Sequence, residues 1–267
     1  MEFNAIVSQR IEVSPDLIIL RIVPDNWELP DFYAGQFAVL GLPESARRTA
    51  FADREPDTDS AKPIKRAYSI ASSSRNKEYI EFYITLVRSG KLTPRLFALK
   101  PGDKIFLGKK FTGMFTMDML TGEPNILLIG TGTGLAPYMS MLRTHLVCGG
   151  PRRFGILHGA RHSWDLGYRS ELITLKHMCT NVTYLPVISR PKEEVTPWGG
   201  MVGYVQDAWE SRDLRESWGG EPSPTDTHVF LCGGPAMVDD MCSRLEVAGF
   251  TEHTKKNPGN IHVERYW

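Results

Sequence analysis

Residues 130–137, Gly-Thr-Gly-Thr-Gly-Leu-Ala-Pro, combine residue types and spacing that could do chemistry. They follow the apolar run Ile126-Leu127-Leu128-Ile129 and open a helical pattern. Glycines let a backbone approach a ligand closely and adopt positive φ. Pro137 suits a first helical turn, where a missing N–H costs nothing. The free N–H groups of such a turn suit a phosphate. The turn departs from Gly-x-Gly-x-x-Gly, and glycine-rich turns after strands also occur where nothing binds. A second segment, Arg66-Ala67-Tyr68-Ser69-Ile70-Ala71-Ser72, sets a cation, an aromatic ring and hydroxyls in a row. In a strand, Arg66 and Tyr68 share one face and Ser69 takes the other. Arginine forks onto phosphate and tyrosine stacks on flat rings; an edge strand with a solvated arginine fits the same letters. Gly90-Lys91-Leu92-Thr93-Pro94 reads as a turn, then an N-cap Thr93 with Pro94 at the first helical position. That is either an anion site at a helix start or simply a well-capped helix. Cys232-Gly233-Gly234-Pro235 ends a strand and begins a helix, and a tight turn with a buried, inert cysteine reads the same way.

The elements that must position these segments differ between the two halves of the chain. Residues 3–107 are short β-type segments, among them 11–23 and 79–87, rich in aromatic and β-branched residues. Gly35, Gly41, Gly90 and Pro101-Gly102 punctuate them as turns. This spacing predicts an antiparallel sandwich or barrel. After Pro124 the expected order is a strand at 126–129, a helix at 137–147, a strand at 154–158 and a helix at 166–177. A strand at 182–187, another at 228–232 and a helix ending near Val247 follow. Strands alternating with helices imply a parallel sheet with right-handed crossovers. A boundary at Gly122-Glu123-Pro124 divides the chain into residues 1–122 and 123–267. Residues 43–65 and 218–227 read as loose.

Composition excludes several classes. Lys+Arg and Asp+Glu both number 31 in 267 residues, so global charge gives no reason to expect nucleic-acid or anionic-membrane binding. No run of 18 apolar residues exists, so no membrane-inserted helix is expected. The start Met1-Glu2-Phe3-Asn4 has no basic n-region or apolar h-region, and a cytoplasmic location is expected. Cys148, Cys179, Cys232 and Cys242 have no C-x-x-C spacing, so reduced thiols and no metal site are expected.

The four segments in this order, together with the close Val263-Glu264-Arg265-Tyr266-Trp267, resemble the ferredoxin–NADP reductase family. The resemblance spans residues 3–267, and the aromatic close is most similar to the bacterial members. It implies an antiparallel β-barrel binding FAD, followed by a Rossmann-like α/β domain binding NADP(H). Within Arg66-Ala67-Tyr68-Ser69 it implies Arg66 on the FAD pyrophosphate, Tyr68 stacked on the isoalloxazine and Ser69 near flavin N5. Tyr83, Ile84, Thr85 and Leu86 match the strand lining the flavin, and Lys91, Leu92 and Thr93 the pyrophosphate turn. Gly132, Thr133 and Gly134, with Gly233, Gly234 and Pro235, match nucleotide turns, Thr133 reaching the flavin and nicotinamide. Cys232 and Glu264 match residues beside hydride transfer, and Tyr266 and Trp267 match aromatics packed on the FAD. Arg161 and Ser189-Arg190 fall after the second and third strands of the second domain, where such sheets bind ligands, and offer cations to a 2′-phosphate. Each arginine also reads as a solvated surface charge.

Two departures stand out. Bacterial members often place Gly-Arg on the 2′-phosphate; here it is Gly203-Tyr204, one charge short. Residues 43–65 are longer than the corresponding loop. The resemblance implies a flavoenzyme exchanging electrons between NADP(H) and a small one-electron carrier, ferredoxin or flavodoxin. Two alternatives stay open. One is the reductase component of an oxygenase, although these cysteines cannot form a C-x4-C-x2-C iron–sulfur module. The other is a non-catalytic flavin- or nucleotide-binding sensor on the same fold.

Overall fold

Proline placement and β-branched content turn the first half into antiparallel strands, seen in a computed structural model that describes residues 2–55 and 60–265. The chain forms two compact units. In the first, β1 (Ala5–Ser14), β2 (Leu17–Pro24), β3 (Phe37–Pro43), β4 (Pro63–Ser69), β5 (Ile80–Thr85) and β6 (Lys104–Leu107) pair antiparallel in the order β4-β3-β6-β1-β2-β5. The short helix α1 (Thr93–Phe97) lies between β5 and β6 in sequence. An Ile70–Phe82 bridge, with the Ala71 N–H donating to the Glu81 carbonyl at 2.8 Å, joins the segment after β4 to β5. The sheet thereby closes into a barrel, which removes exposed strand edges. Val7, Ile18, Leu20, Ile22, Leu40, Phe82, Ile84 and Ile105 fill its core.

The 11–23 segment is not one strand. Pro15-Asp16 makes a tight turn, Ser14 pairs with Leu17, and two strands result; proline pre-sets the first turn dihedral. Gly41 is not a turn either. It sits inside β3, paired with Lys65 and Phe106.

The second unit is a parallel sheet of β7 (Asn125–Thr131), β8 (Phe154–Ala160), β9 (Val182–Ile188), β10 (Met201–Val202), β11 (Thr227–Gly233) and β12 (Ile261–Arg265). Their order is β10-β9-β8-β7-β11-β12. β7 is buried along almost its whole length, as parallel strands covered on both faces require. The helices are α2 (Leu135–His145), α3 (Arg169–Met178), α4 (Val205–Trp209), α5 (Arg212–Trp218) and α6 (Pro235–Val247). α4, α5 and α6 share one core with the sheet through Val205, Leu214, Trp218, Val238 and Met241. α3 starts three residues later than the 166–177 pattern suggests, because Tyr168 takes φ +58°, outside any right-handed helix. Trp218 closes α5 and is buried, so the 218–227 stretch begins anchored, not loose.

Two further findings depart from expectation. Residues 136–144 of α2 pack with the barrel and belong to the first unit, which otherwise ends at Asp118. Their polar face explains it: Ser140 Oγ donates to the Ser72 carbonyl at 2.7 Å, and Arg143 Nη1 donates to the Ala71 carbonyl at 2.9 Å. The thiols are not all reduced. Cys148 and Cys179 form a disulfide, Cys148 lying three residues after α2 and Cys179 directly after α3, while Cys232 and Cys242 are buried and outside it. A separation of 31 residues leaves no local spacing signal for that pair.

Candidate functional site

The parallel sheet reverses its winding between β7 and β11, where open α/β sheets hold ligands at their carboxyl ends. Both glycine turns lie there. Gly132–Gly134 forms a single 3-10 turn between β7 and α2. Gly132 has φ +55°, a left-handed conformation that favours glycine. At Gly134 an added Cβ would stand 2.3 Å from the Cys232 carbonyl oxygen, so only glycine lets this turn lie against the end of β11. Gly234 precedes α6, with Pro235 in its first turn. Cys232 and Glu264 are register partners on β11 and β12, and the fully buried Cys232 Sγ lies 3.6 Å from Glu264 Oε2. The carboxyl ends of β7, β11 and β12 thus bring Gly132–Gly134, Cys232 and Glu264 together.

Beyond β8 and β9 the two cationic segments run side by side. The Ser189 N–H donates to the Ala160 carbonyl at 3.0 Å, and the Arg190 N–H to the Arg161 carbonyl at 2.9 Å. Arg161 is exposed and has no ion pair among the described residues. Val202 pairs with Ile188, so Tyr204 follows β10 by the same two residues that separate Arg190 from β9. Tyr204 is exposed, and its N–H donates to Asp207 Oδ2 at 2.6 Å, capping α4. Within the sheet His158 is fully buried, its Nδ1 3.2 Å from the Tyr184 hydroxyl, and burial holds its pKa down at about 3.

On the barrel, Arg66 and Tyr68 lie on β4, an edge of the strand order. Arg66 is exposed, donates to the Lys65 carbonyl at 2.7 Å and has no ion pair among the described residues. Tyr68 packs its ring against the barrel core, and burial pushes its hydroxyl pKa well above the ordinary value. Ser69 is buried and pairs with Phe37. Along the flavin-matching strand, Ile84 and Leu86 belong to the barrel core. Strand alternation therefore leaves Tyr83 and Thr85 to present side chains on the other face. Leu92 is likewise a core residue. Thr93 does not cap α1: it is the first helical residue, and Leu92 precedes the helix with no side-chain cap. Its hydroxyl instead accepts from the Val87 N–H at 3.0 Å and lies 3.2 Å from the Val87 carbonyl, closing the turn on itself. Lys91 Nζ is 3.6 Å from Glu44. Tyr266 and Trp267 lie outside the described residues.

Sequence reasoning missed two arginines that build this region. Arg95, 3% exposed, donates to the Lys91 carbonyl at 2.6 Å and the Glu44 carbonyl at 3.1 Å, and pairs with Glu55 at 3.1 Å. Arg48 donates to the Gly90 and Asp53 carbonyls at 3.2 and 3.0 Å and also pairs with Glu55. The 43–65 stretch is accordingly pinned, through Glu44, Arg48, Asp53 and Glu55, to α1 and the turn before it. Its partners are mostly carbonyls, which carry no sequence signal. The spacing of Ser140, Arg143 and Thr144 was a usable one, since i, i+3 and i+4 share a helix face.

With this geometry in hand, comparison with known proteins gives a consistent class. Residues 4–109 match the model of an oxidoreductase FAD-binding domain, and residues 128–243 that of an oxidoreductase NAD-binding domain. A flavodoxin/ferredoxin–NADP reductase of Shigella flexneri is 32% identical over 238 residues, 88% of this chain and 88% of its own. A ferredoxin–NADP reductase of Azotobacter vinelandii is 31% identical over 247 residues, 88% of this chain and 86% of its own. In fold, the chain is similar to a ferredoxin NADP+ reductase of Neisseria gonorrhoeae solved with bound FAD and NADP. The TM-score is 0.77 at 22% identity, covering 99% of both chains. The molecule is thus an oxidoreductase built from an FAD-binding and an NAD-binding domain. More narrowly, the chain belongs to the ferredoxin–NADP reductase family. No helix of the described residues is long and apolar enough to cross a membrane.

Proposed function

We propose that the protein is a ferredoxin (flavodoxin)–NADP reductase that takes FAD as cofactor and NADP(H) as substrate. One observation carries the reading: two exposed arginines with no acidic partner among the described residues, Arg66 and Arg161, stand respectively on an aromatic-bearing strand and after the strand paired to the glycine-turn strand β7. Those residues fit the groups. Arg66 would hold the FAD pyrophosphate and Tyr68 the isoalloxazine, with Ser69 near N5, Tyr83 and Thr85 along the ring, and Lys91 and Thr93 at the turn. Ile84, Leu86 and Leu92 would contribute backbone only. Gly132, Thr133, Gly134, Gly233, Gly234 and Pro235 would receive the nucleotide, and Arg161, Ser189 and Arg190 its 2′-phosphate. Bound FAD supplies the redox chemistry, accepting a hydride and passing electrons on singly. The chain positions and shields; no strong base is required of it. Cys232, buried against Glu264, would border the nicotinamide, and Tyr266 and Trp267 would cover the flavin.

The partner in this reading is a small ferredoxin or flavodoxin in the cytoplasm. The decisive experiment confirms bound FAD by its spectrum, then compares reduction of a one-electron carrier with NADPH and NADH. A colourless protein, or a yellow one that oxidises neither nucleotide, defeats the proposal. Arg66→Ala is expected to weaken FAD retention about 10- to 100-fold. It removes a charge-assisted contact of roughly 1.5–3 kcal/mol. Equilibrium dialysis reads the loss, and unchanged retention would remove Arg66 from the pyrophosphate.

A further inference from the structure

The loop after β9 folds back onto the loop after β8 through two carboxylates. The Ser163 N–H and hydroxyl both donate to Glu194, at 2.7 and 2.6 Å. Its neighbour Glu193 reaches two cationic groups at once. Glu193 Oε2 lies 2.7 Å from His162 Nε2, and Glu193 Oε1 lies 3.6 Å from Arg190 Nη1. Asp165 Oδ2, 3.1 Å from His162 Nδ1, holds the other side of the imidazole, and Trp164 stacks on it at 4.4 Å between centroids. Partial burial works against protonation of His162, but its hydrogen bonds to Glu193 and Asp165 outweigh that and raise its pKa. A negative charge therefore stands among the cations that a 2′-phosphate would need, at the carboxyl edge where Arg161 and Arg190 meet.

We propose that Glu193 is a specificity-determining residue: its carboxylate engages Arg190 and His162 and thereby weakens the preference for a 2′-phosphorylated nucleotide, NADPH, over NADH. The proposal rests on the reading that Arg161 and Arg190 receive the 2′-phosphate. Its physics is competition. A phosphate at this edge must displace the carboxylate from Arg190 or sit beside it, and like charges a few ångströms apart repel even when partly solvated. An unphosphorylated ribose meets neither cost. Tyr204, which supplies no charge at the end of β10, leaves the competition unbalanced. Glu194 differs in role: its carboxylate is spent on the Ser163 N–H and hydroxyl, fixing the loop.

Calorimetric titration of the FAD-loaded protein with adenosine 2′,5′-bisphosphate and with 5′-AMP tests this directly. Glu193→Gln keeps the side chain's shape and an acceptor for His162 while removing the charge. It is expected to tighten the bisphosphate about five- to tenfold and leave 5′-AMP within about twofold. The KM for NADPH should fall in step while that for NADH does not. Equal tightening of both probes, or no tightening of the bisphosphate, overturns the proposal. Arg190→Ala separates the layers. If it weakens the bisphosphate selectively and Glu193→Gln still gains nothing, the inference alone fails. If it weakens neither probe, Arg190 is not at the phosphate, and the reading and the inference fall together.

Discussion

Replacing Glu81 by glutamine isolates one of the interactions that tie α2 to the barrel, its ion pair with Arg143. Glu81 has no solvent exposure, and its two oxygens accept from Arg21 Nε at 2.6 Å and Arg143 Nη1 at 2.7 Å. Glutamine keeps the volume and one carbonyl oxygen, so one arginine retains an acceptor. The other meets an amide N–H, donor facing donor. Removing one member of a buried ion cluster costs about 3–5 kcal/mol. Both arginine side chains are 20–30% solvent-exposed, at 30% for Arg21 and 21% for Arg143, which moves the expectation to the lower end, about 3 kcal/mol. In a unit of this size each kcal/mol lowers Tm by roughly 3–5 °C, so a drop of about 9–15 °C is expected. Differential scanning calorimetry measures it, and the fluorescence of released FAD identifies the transition belonging to the barrel. Because the carboxylate is buried, the loss should be the same at 0.05 and 0.5 M salt, to about 1 kcal/mol. A drop below about 3 °C, or one that vanishes in high salt, would refute the reasoning.

Two further outcomes follow from described geometry. Gly134→Ala drives a Cβ against the Cys232 carbonyl, a backbone atom that cannot rotate away. It is expected to cost about 1–3 kcal/mol and weaken nucleotide binding while FAD retention holds; unchanged melting and nucleotide affinity would show the turn has room. His158 has its pKa depressed from 6.5 to about 3, so the stability this brings is complete above pH 6.5 and drains away as pH falls toward 3. Between pH 7 and 5 that is about 2 kcal/mol, and His158→Asn should remove this part of the acid loss in urea titrations run at both pH values.

Much of the second unit was legible because a parallel strand buried on both faces reads as an apolar run, as at Ile126-Leu127-Leu128-Ile129, which a glycine-rich turn follows. Order along the chain then located Arg161 and Ser189-Arg190 at strand ends. The barrel was legible as strands but not in its breaks: Pro15-Asp16 turns the chain within an apolar stretch, whereas Gly41 sits in a strand because its neighbours, not its own preferences, fix it. Side-chain destinations were least readable. Thr93 looks like a cap, yet the nearby Val87 backbone takes its hydroxyl. Arg48 and Arg95 look like surface charges, yet they satisfy carbonyls of a loop forty or more positions away. Glu193 reads as one more solvated acid until the chain brings it to His162.

The assignment of residues 136–144 to the first unit has a consequence for synthesis. The last barrel strand is complete at Leu107, but Glu81 gains its second arginine only when Arg143 emerges. At about 5–20 residues per second this leaves the nascent barrel with one Glu81 oxygen lacking its Arg143 donor for some 2–7 s. A fragment ending at the covalent seam between the two halves would stay in that state permanently. The boundary for expressing the barrel by itself is therefore not the linker but the far end of α2, and any fragment that respects it must carry the first strand of the neighbouring sheet.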